Sequence, residues 1–193
     1  MHELIHKNIL KYIDANDEEF LFFTSKLENL HLKKKEKLIV AGENCKHLAF
    51  VNSGCLRAFI SDEQGTEHII QFALEDYWIS DLYGFLTGNP AIYTIEAIEN
   101  TDVLKISRDS LEDVFRRYPK FERFFRLLIE RSHVNLQQRI ISSLSDSAEK
   151  KYLNLFEKQA FLISRIPQKY LASYLGITAE SLSRIKKKMF KKE

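Results

Sequence analysis

The feature that most constrains this chain is its last segment, which begins at Ile166 and reads IPQKYLASYLGITAESLSRIKKKMFKKE. Apolar residues recur there at helical spacing on either side of Gly176, which predicts two short amphipathic helices joined by a tight turn. Thr178 stands where its hydroxyl can cap the second helix. The apolar face of that helix is formed by Leu182, Ile185 and Met189. This arrangement predicts a helix-turn-helix, a motif that enters the major groove of DNA.

The positive charge of the chain is concentrated in this segment. From Ile163 onward, eight basic residues stand against two acidic ones, so the segment carries +6 while the whole chain carries +2. A basic cluster around the second helix is the electrostatic pattern of a phosphate-binding surface. A solvated basic tail is the alternative interpretation. The DNA-contacting residues predicted here are Lys169, Thr178, Glu180, Ser181, Arg184, Lys187, Lys188 and Lys191.

Composition narrows the class of protein and its location in the cell. Apolar residues make up 45% of the 193 residues, which is enough for a substantial core, and no apolar run is long enough for a membrane span. The first residues lack the basic start, apolar stretch and cleavage site of a signal peptide. Cys45 and Cys55 show no metal-ligand spacing, and reduced, half-buried thiols are favoured over a strained disulfide. We therefore expect a cytoplasmic protein that does not associate with membranes.

Short strands dominate the first part of the chain. A helix is predicted from Asp17 to Leu30, capped by Asn16 or Asp17, and a second helix near Leu82 to Leu86. Between and after them, alternating apolar and polar residues are punctuated by glycine. Strands spaced about ten residues apart are typical of an antiparallel roll or barrel. The predicted strands are 38–43, 47–54, 55–65, 67–74, 93–99 and 102–107.

A long helix is predicted after a short one at Arg108 to Tyr118. An apolar stripe continues from Phe121 over about 25 residues that contain neither glycine nor proline. A helix of this length cannot bury its whole stripe on a small roll, which favours pairing with a second copy of the chain. A helix packed only on its own domain is the alternative. The residues predicted at the dimer interface are Phe125, Ile129, Leu136, Ile140 and Leu144.

These patterns predict an α+β chain with three parts. Residues 1–118 would form an antiparallel β-roll (jelly-roll) sensor domain, 119–146 a dimerisation helix and 147–193 a helix-turn-helix domain. This order resembles the Crp/Fnr superfamily of bacterial transcription regulators, which contain a cyclic-nucleotide-binding-like roll. The resemblance extends nearly end to end and is strongest at VNSGCLRAFISDEQGTEHIIQF and GITAESLSRIKKKM.

The resemblance implies specific roles for the second helix of the helix-turn-helix. The family's base-reading glutamate falls on Glu180 and its following arginine on Arg184, while Ala179 stands where arginine is common. One family base contact is therefore missing. Only four residues follow Met189, which predicts little or no β-hairpin wing: either the wing is lost, with the lysines replacing its phosphate contacts, or the sequence is truncated. The implied partners are double-stranded DNA and a second copy of the chain, and further candidates are RNA polymerase and an unidentified small-molecule effector.

The same resemblance argues against cyclic AMP as the effector. Cyclic-nucleotide binders of the family present a Gly-Glu pair for the ribose and an Arg-Ser pair for the cyclic phosphate. This chain has Ser80-Asp81 and Ala91-Ile92 at those places, which offer no positive charge to a phosphate. The candidate effector-pocket residues are Trp78, Ser80, Asp81, Tyr83, Ala91, Ile92 and Tyr93, and core packing is the alternative role for its aromatic members.

No cofactor and no catalytic residue is predicted. The iron–sulfur form of the family needs cysteines near the N-terminus, and residues 1–44 contain none. Haem ligation by one of the six histidines is the alternative, but nothing pairs them, and solvated or structural roles are favoured. The chain lacks a Ser–His–Asp pattern, a glycine-rich phosphate loop and an HExxH motif, which disfavours an enzyme. We predict a dimeric DNA-binding transcription regulator that responds to an effector other than cyclic AMP or to none. A nucleotide- or small-ligand-sensing module without direct transcriptional output is the alternative.

Overall fold

The chain divides into two compact units. The computed structural model describes residues 2–190, apart from the side chains of Lys158, Gln159 and Phe190. The first unit comprises Met1–Ile60 with Ile70–Glu130, and the second comprises Ser61–Ile69 with Arg131–Glu193. In the described range, no helix is both long enough and apolar enough to cross a membrane.

Two four-stranded sheets form the roll, and the sequence prediction of an antiparallel roll is confirmed. The strands are β1 (Glu28–Leu32), β2 (Lys37–Ile39), β3 (His47–Ser53), β4 (Leu56–Ser61), β5 (Glu67–Ala73), β6 (Trp78–Ile79), β7 (Thr94–Ala97) and β8 (Thr101–Ser107). One sheet has the order β1-β8-β3-β6 and the other β2-β7-β4-β5. The pairing of β3 with β8 and of β4 with β7 is antiparallel.

Successive side chains of a strand point to opposite faces of the sheet, so the side chains of the roll form two layers. On β3, Ala49 and Val51 belong to the cluster that contains residues of both sheets. Leu48 and Phe50, one position out of step, pack with the helices instead. This follows from the two-residue period of a strand, which turns successive side chains to opposite faces.

Helices pack against the outer layer of the first sheet. They are α1 (Glu3–Leu10), α2 (Asp17–Ser25), α3 (Leu82–Thr87), α4 (Arg108–Arg117) and the beginning of α5 (Lys120–Ser145). Asn16 caps α2 in a capping box: its side chain accepts from the Glu19 backbone N–H, and the Glu19 carboxylate accepts from the Asn16 backbone N–H.

The first helix of the prediction is too long, and one helix was not predicted. Residues 28–30, assigned to a helix by their periodicity, belong to β1, which pairs with β8 and places Leu30 opposite Val103. The partner strand is distant in sequence, so its pairing overrides a weak local preference. The additional helix is α1, whose Ile5 and Ile9 are fully buried.

The long helix α5 changes its surroundings along its length. Phe121, Phe124 and Phe125 are buried in the first unit, and Phe121 stacks on Phe23 with ring centroids 5.0 Å apart. Phe125 was predicted at the dimer interface, and this assignment is corrected: only 6% of it is exposed, because its ring packs within its own unit against Trp78. The other four predicted interface residues have exposed side chains: Ile129, Leu136, Ile140 and Leu144.

The second unit contains the three C-terminal helices. They are α6 (Ala148–Arg165), α7 (Gln168–Leu175) and α8 (Ala179–Phe190). Ser147 caps α6 by accepting a hydrogen bond from the Lys150 backbone N–H. The unit also includes Ser61–Ile69, which we call the hairpin tip because it joins β4 to β5.

Candidate nucleic-acid interface

The predicted helix-turn-helix is present as α7, a turn and α8. Gly176 ends α7 in the left-handed region with a φ of 67°. The Ile177 N–H donates to the Ala172 carbonyl and the Gly176 N–H donates to the Ser173 carbonyl, each over 3.0 Å. This is a Schellman-type helix end, in which glycine is preferred because it reaches a positive φ without a Cβ clash. The chain therefore reverses within a few residues and starts α8 beside α7.

An apolar core holds the three helices together. From α7 and α8 it contains Leu171, Ala172, Leu175 and Leu182, all buried. From α6 and the residue after it, the buried members are Tyr152, Leu155, Leu162 and Ile166. Ile185 and Met189, predicted to be buried, are only half-buried. Leu182 is thus the residue that fixes α8 to the unit and determines which of its faces points outward.

Polar groups gather at the start of α8. The Thr178 hydroxyl accepts from the Ser181 backbone N–H at 3.1 Å, which confirms the predicted cap. An Arg184 N–H donates to the Ser181 hydroxyl oxygen at 3.3 Å. The pKa of Glu180 is lowered, first by a hydrogen bond from its own backbone N–H, then by the Thr178 hydroxyl and the charge of Arg184. Glu180 and Arg184 are exposed, so the structure brings together a carboxylate and a guanidinium on one outward surface.

The predicted lysines differ in their surroundings. Lys169 at the start of α7 and Lys187 on α8 are exposed. Lys188 is also exposed but lies against α6, where its ammonium donates to the carboxylate of Glu149. Lys191 and any wing lie outside the described residues.

The hairpin tip contacts the helix-turn-helix, a feature that no sequence pattern indicated. The Ser173 hydroxyl donates to the Glu67 carbonyl at 2.9 Å and accepts from the Ile69 N–H at 3.1 Å. Arg139 donates to the Ile69 carbonyl at 2.9 Å and lies over the Tyr174 ring at 4.2 Å. Burial lowers the pKa of Arg139. These residues are far apart in sequence, so only the tertiary structure could reveal the contact.

The ring of Trp78 packs among aromatic side chains of the first unit. Its ring packs against Phe50, Phe124 and Phe125 on the outer face of the first sheet. Its indole N–H donates to the Asn8 side chain at 3.1 Å. Because β6 alternates, Trp78 faces the helices while Ile79 joins the cluster between the sheets. The assignment of Trp78 to an effector pocket is therefore corrected to core packing.

Four of the remaining predicted effector residues form a hydrogen-bonded cluster beside the start of α3: Ser80, Asp81, Ile92 and Tyr93. Ser80 donates from its hydroxyl to the His47 carbonyl at 2.8 Å, and the Tyr93 hydroxyl donates to the Ser80 carbonyl at 2.7 Å. The Asp81 carboxylate accepts from the backbone N–H groups of Gly84, Ile92 and Tyr93. Burial, and then the charge of Asp81, raises the pKa of Tyr93. The polar groups of this cluster thus bond to one another.

The other two predicted pocket residues differ in exposure. Ala91 is buried, whereas Tyr83 is exposed, as is the side chain of Ile92. A cavity of about 120 Å³ in the first unit is lined by other residues, among them Leu38, Ile39, Glu43, Cys45 and His47. Both cysteines are free thiols, as predicted, but they are buried and not half-buried. Within the described part of the chain, no three His, Cys, Asp or Glu side chains come close enough together to hold a metal ion.

Comparison with known proteins agrees with this architecture. Residues 29–118 match the cyclic nucleotide-binding domain family. The chain is 26% identical over 168 residues to the fumarate and nitrate reduction regulatory protein of Vibrio cholerae, covering 80% of this chain and 65% of the relative. It is 28% identical over 167 residues to the transcriptional activator protein FnrA of Stutzerimonas stutzeri, covering 80% of this chain and 67% of the relative. These matches support a regulator of the Crp/Fnr superfamily.

A solved structure shows the same fold. FixK2 from Bradyrhizobium japonicum superposes with a TM-score of 0.73, covering 86% of this chain and 85% of its own, at 17% sequence identity. The Vibrio relative is named as a regulatory protein and the Stutzerimonas relative as a transcriptional activator protein. The chain spans less than two thirds of the length of the Vibrio protein.

Proposed function

We propose that the chain is a DNA-binding transcription regulator that inserts α8 into the major groove. The observation that carries the proposal is the outward face at the start of α8. Leu182 is completely buried beneath it, while Glu180 and Arg184 are exposed. A rigid helix that presents long polar side chains at its N-terminal end is the arrangement that base readout requires.

The charge of α8 supports two kinds of DNA contact. Arg184 can donate a pair of hydrogen bonds to guanine, and Glu180 can accept one from the amino group of cytosine. Lys187 lies further along the helix and would neutralise a phosphate without reading sequence. Thr178, Ser181 and Lys169 stand at the starts of the two helices, where backbone N–H groups also favour phosphate.

A dimer would complete the DNA-binding unit. Leu136 and Ile140 on α5 are each 50% exposed and Leu144 is 83% exposed, although all three are large and apolar. They are spaced four residues apart and so lie along one side of the helix. A second copy of α5 would remove this row from water, and a twofold pair would place the two α8 helices on successive turns of a near-palindromic site.

The roll supports a regulator that does not respond to cyclic AMP. The polar groups of Ser80, Asp81 and Tyr93 are satisfied within the protein. The predicted positions contain no cation that could bind a cyclic phosphate. An effector, if one acts on this chain, would therefore be a different molecule. RNA polymerase remains a candidate partner of the bound regulator.

Selection from random duplexes tests the proposed function. The full chain is incubated with a library of double-stranded DNA, and bound molecules are sequenced over several rounds. We expect convergence on a near-palindromic motif whose half-sites are about one helical turn apart. A library that never enriches, from a chain that is folded and dimeric, would contradict the proposal and favour a sensing module without DNA binding.

A further inference from the structure

Asp81 is a completely buried acidic residue between β6 and α3. One carboxylate oxygen accepts from the Gly84 N–H at 2.7 Å. The other accepts from the Ile92 N–H at 2.8 Å and the Tyr93 N–H at 3.1 Å. Asp81 therefore does more than cap α3, because two of its three donors come from the segment that leads into β7.

The surroundings of this carboxylate are those of a bound anion. Asp81 forms no ion pair with any described residue, and the donors to its carboxylate are the three backbone N–H groups. Burying a carboxylate is costly unless hydrogen bonds compensate for the lost water. The neighbouring Tyr93 side chain carries a neutral hydroxyl that donates to the Ser80 carbonyl. Backbone donors alone thus bind the negative charge.

The position of the backbone N–H groups that bind Asp81 connects this carboxylate to effector binding. The resemblance to the Crp/Fnr superfamily places Ala91 and Ile92 where its nucleotide-binding members present the pair that binds the cyclic phosphate. In this chain the Ile92 N–H is already bonded to Asp81. A phosphate approaching the same donors would have to displace a carboxylate that is covalently part of the chain, and it would meet a like charge.

We propose that Asp81 is a built-in anion, whose carboxylate occupies the backbone donors that an anionic effector would need. The roll is thereby closed to cyclic nucleotides and to other phosphate-containing ligands at this place. The inference concerns the first unit alone and goes beyond DNA binding. Its test can therefore fail while the proposed function stands, and the reverse is also possible.

Chemical rescue of Asp81→Ala tests the inference. The substitution removes the carboxylate and leaves three N–H groups facing a small space. We expect the melting temperature of the full chain to fall by about 5 °C. Sodium formate, the smallest carboxylate, should recover much of this loss relative to sodium chloride at equal ionic strength. Wild-type protein should melt at the same temperature in both salts.

Asp102→Ala is the matched control. Asp102 also accepts a hydrogen bond, from the Ser53 hydroxyl at 2.8 Å, but it is exposed. Formate should not stabilise this variant. A folded Asp81→Ala protein that responds to formate no more than Asp102→Ala would overturn the proposal.

A second measurement uses the wild-type chain and does not depend on how the variant folds. Nuclear magnetic resonance follows the backbone amide signals of Gly84, Ile92 and Tyr93 during titration with cyclic AMP and then with inorganic phosphate. The three signals should stay in place with both ligands. Saturable movement of these signals with either ligand would show that the donors are free for an external anion, and the proposal would be wrong.

Discussion

Lys188 on α8 and Glu149 on α6 form an ion pair, with the ammonium nitrogen 2.9 Å from Oε2 and 3.1 Å from Oε1. Both side chains are partly exposed, so the pair contributes little to stability. Its effect on the proposed DNA binding should be larger, because a carboxylate neutralises one lysine on the face proposed to meet phosphate. The pair would thus connect the packing of the helix-turn-helix to its proposed affinity for DNA.

Removing the charge of Glu149 should strengthen DNA binding. In Glu149→Gln, Lys188 is released to contact a phosphate, and we expect affinity to rise about fivefold for cognate and random duplexes alike. The slope of log K against log salt should steepen by up to about one unit. Fluorescence anisotropy over a salt series measures both quantities. Glu157→Gln, an exposed carboxylate about two turns further along α6, is the control and should change either quantity less.

Arg184→Ala should reduce sequence discrimination. Loss of a bidentate contact to guanine costs about 1–3 kcal/mol at the cognate site, which corresponds to about 5- to 150-fold in affinity. Random DNA should be affected much less. Competition binding with the selected motif and a scrambled duplex measures the ratio. Equal losses on both duplexes would show that Arg184 contacts only the backbone.

Lys187→Ala is expected to act on affinity without acting on discrimination. Because a phosphate contact carries no sequence information, cognate and random affinities should fall by the same factor. The salt slope should decrease by up to about one unit. The same anisotropy series detects this, and an effect confined to the cognate duplex would contradict the assignment.

Leu136→Asp should convert dimers to monomers. The substitution places a charge in the apolar row of α5, where a symmetric interface would bury it twice. Affinity for a two-half-site duplex should fall by about a hundredfold, because simultaneous engagement of both half-sites is lost. Multi-angle light scattering measures the mass. The control is Gln138→Asp, on the opposite side of the same helix, which should remain dimeric. A Leu136→Asp protein that stays dimeric would rule out this face.

Glu19 should contribute to the acid sensitivity of the first unit. A hydrogen bond from Lys120, and next one from the Asn16 N–H, lowers the pKa of Glu19. A carboxyl whose pKa is lower in the folded state stabilises the fold above its unfolded pKa, and this stabilisation is lost as pH falls through the folded value. The stability difference between wild type and Glu19→Gln should therefore be largest near pH 7 and should shrink below about pH 4. Urea denaturation at several pH values measures it, with Glu18→Gln as the control. A difference that stays constant with pH would exclude this role.

Local chemistry allowed several elements to be predicted correctly. Asn16 and Thr178 cap helices because short polar side chains can accept the free N–H groups of a first turn, and this depends only on neighbouring residues. Gly176 ends α7 because few other residues reach its positive φ. The strands from β3 to β5 follow from alternation and turn residues. These local features are sufficient to predict the roll and the helix-turn-helix.

The sequence could not specify which neighbours cover each face of a helix or strand. Periodicity placed Phe125 on the stripe of α5, and the family resemblance placed Trp78 near the effector region, but the two rings pack against each other because the helices pack on the outer layer of the first sheet. The sequence also did not indicate the hydrogen bonds to Asp81, because its donors at Ile92 and Tyr93 lie more than ten residues away. A repeat of 3.6 or 2 residues determines which side chains share a face. Only the folded chain determines whether that face meets water, another element or a buried charge, because those neighbours come from distant parts of the sequence.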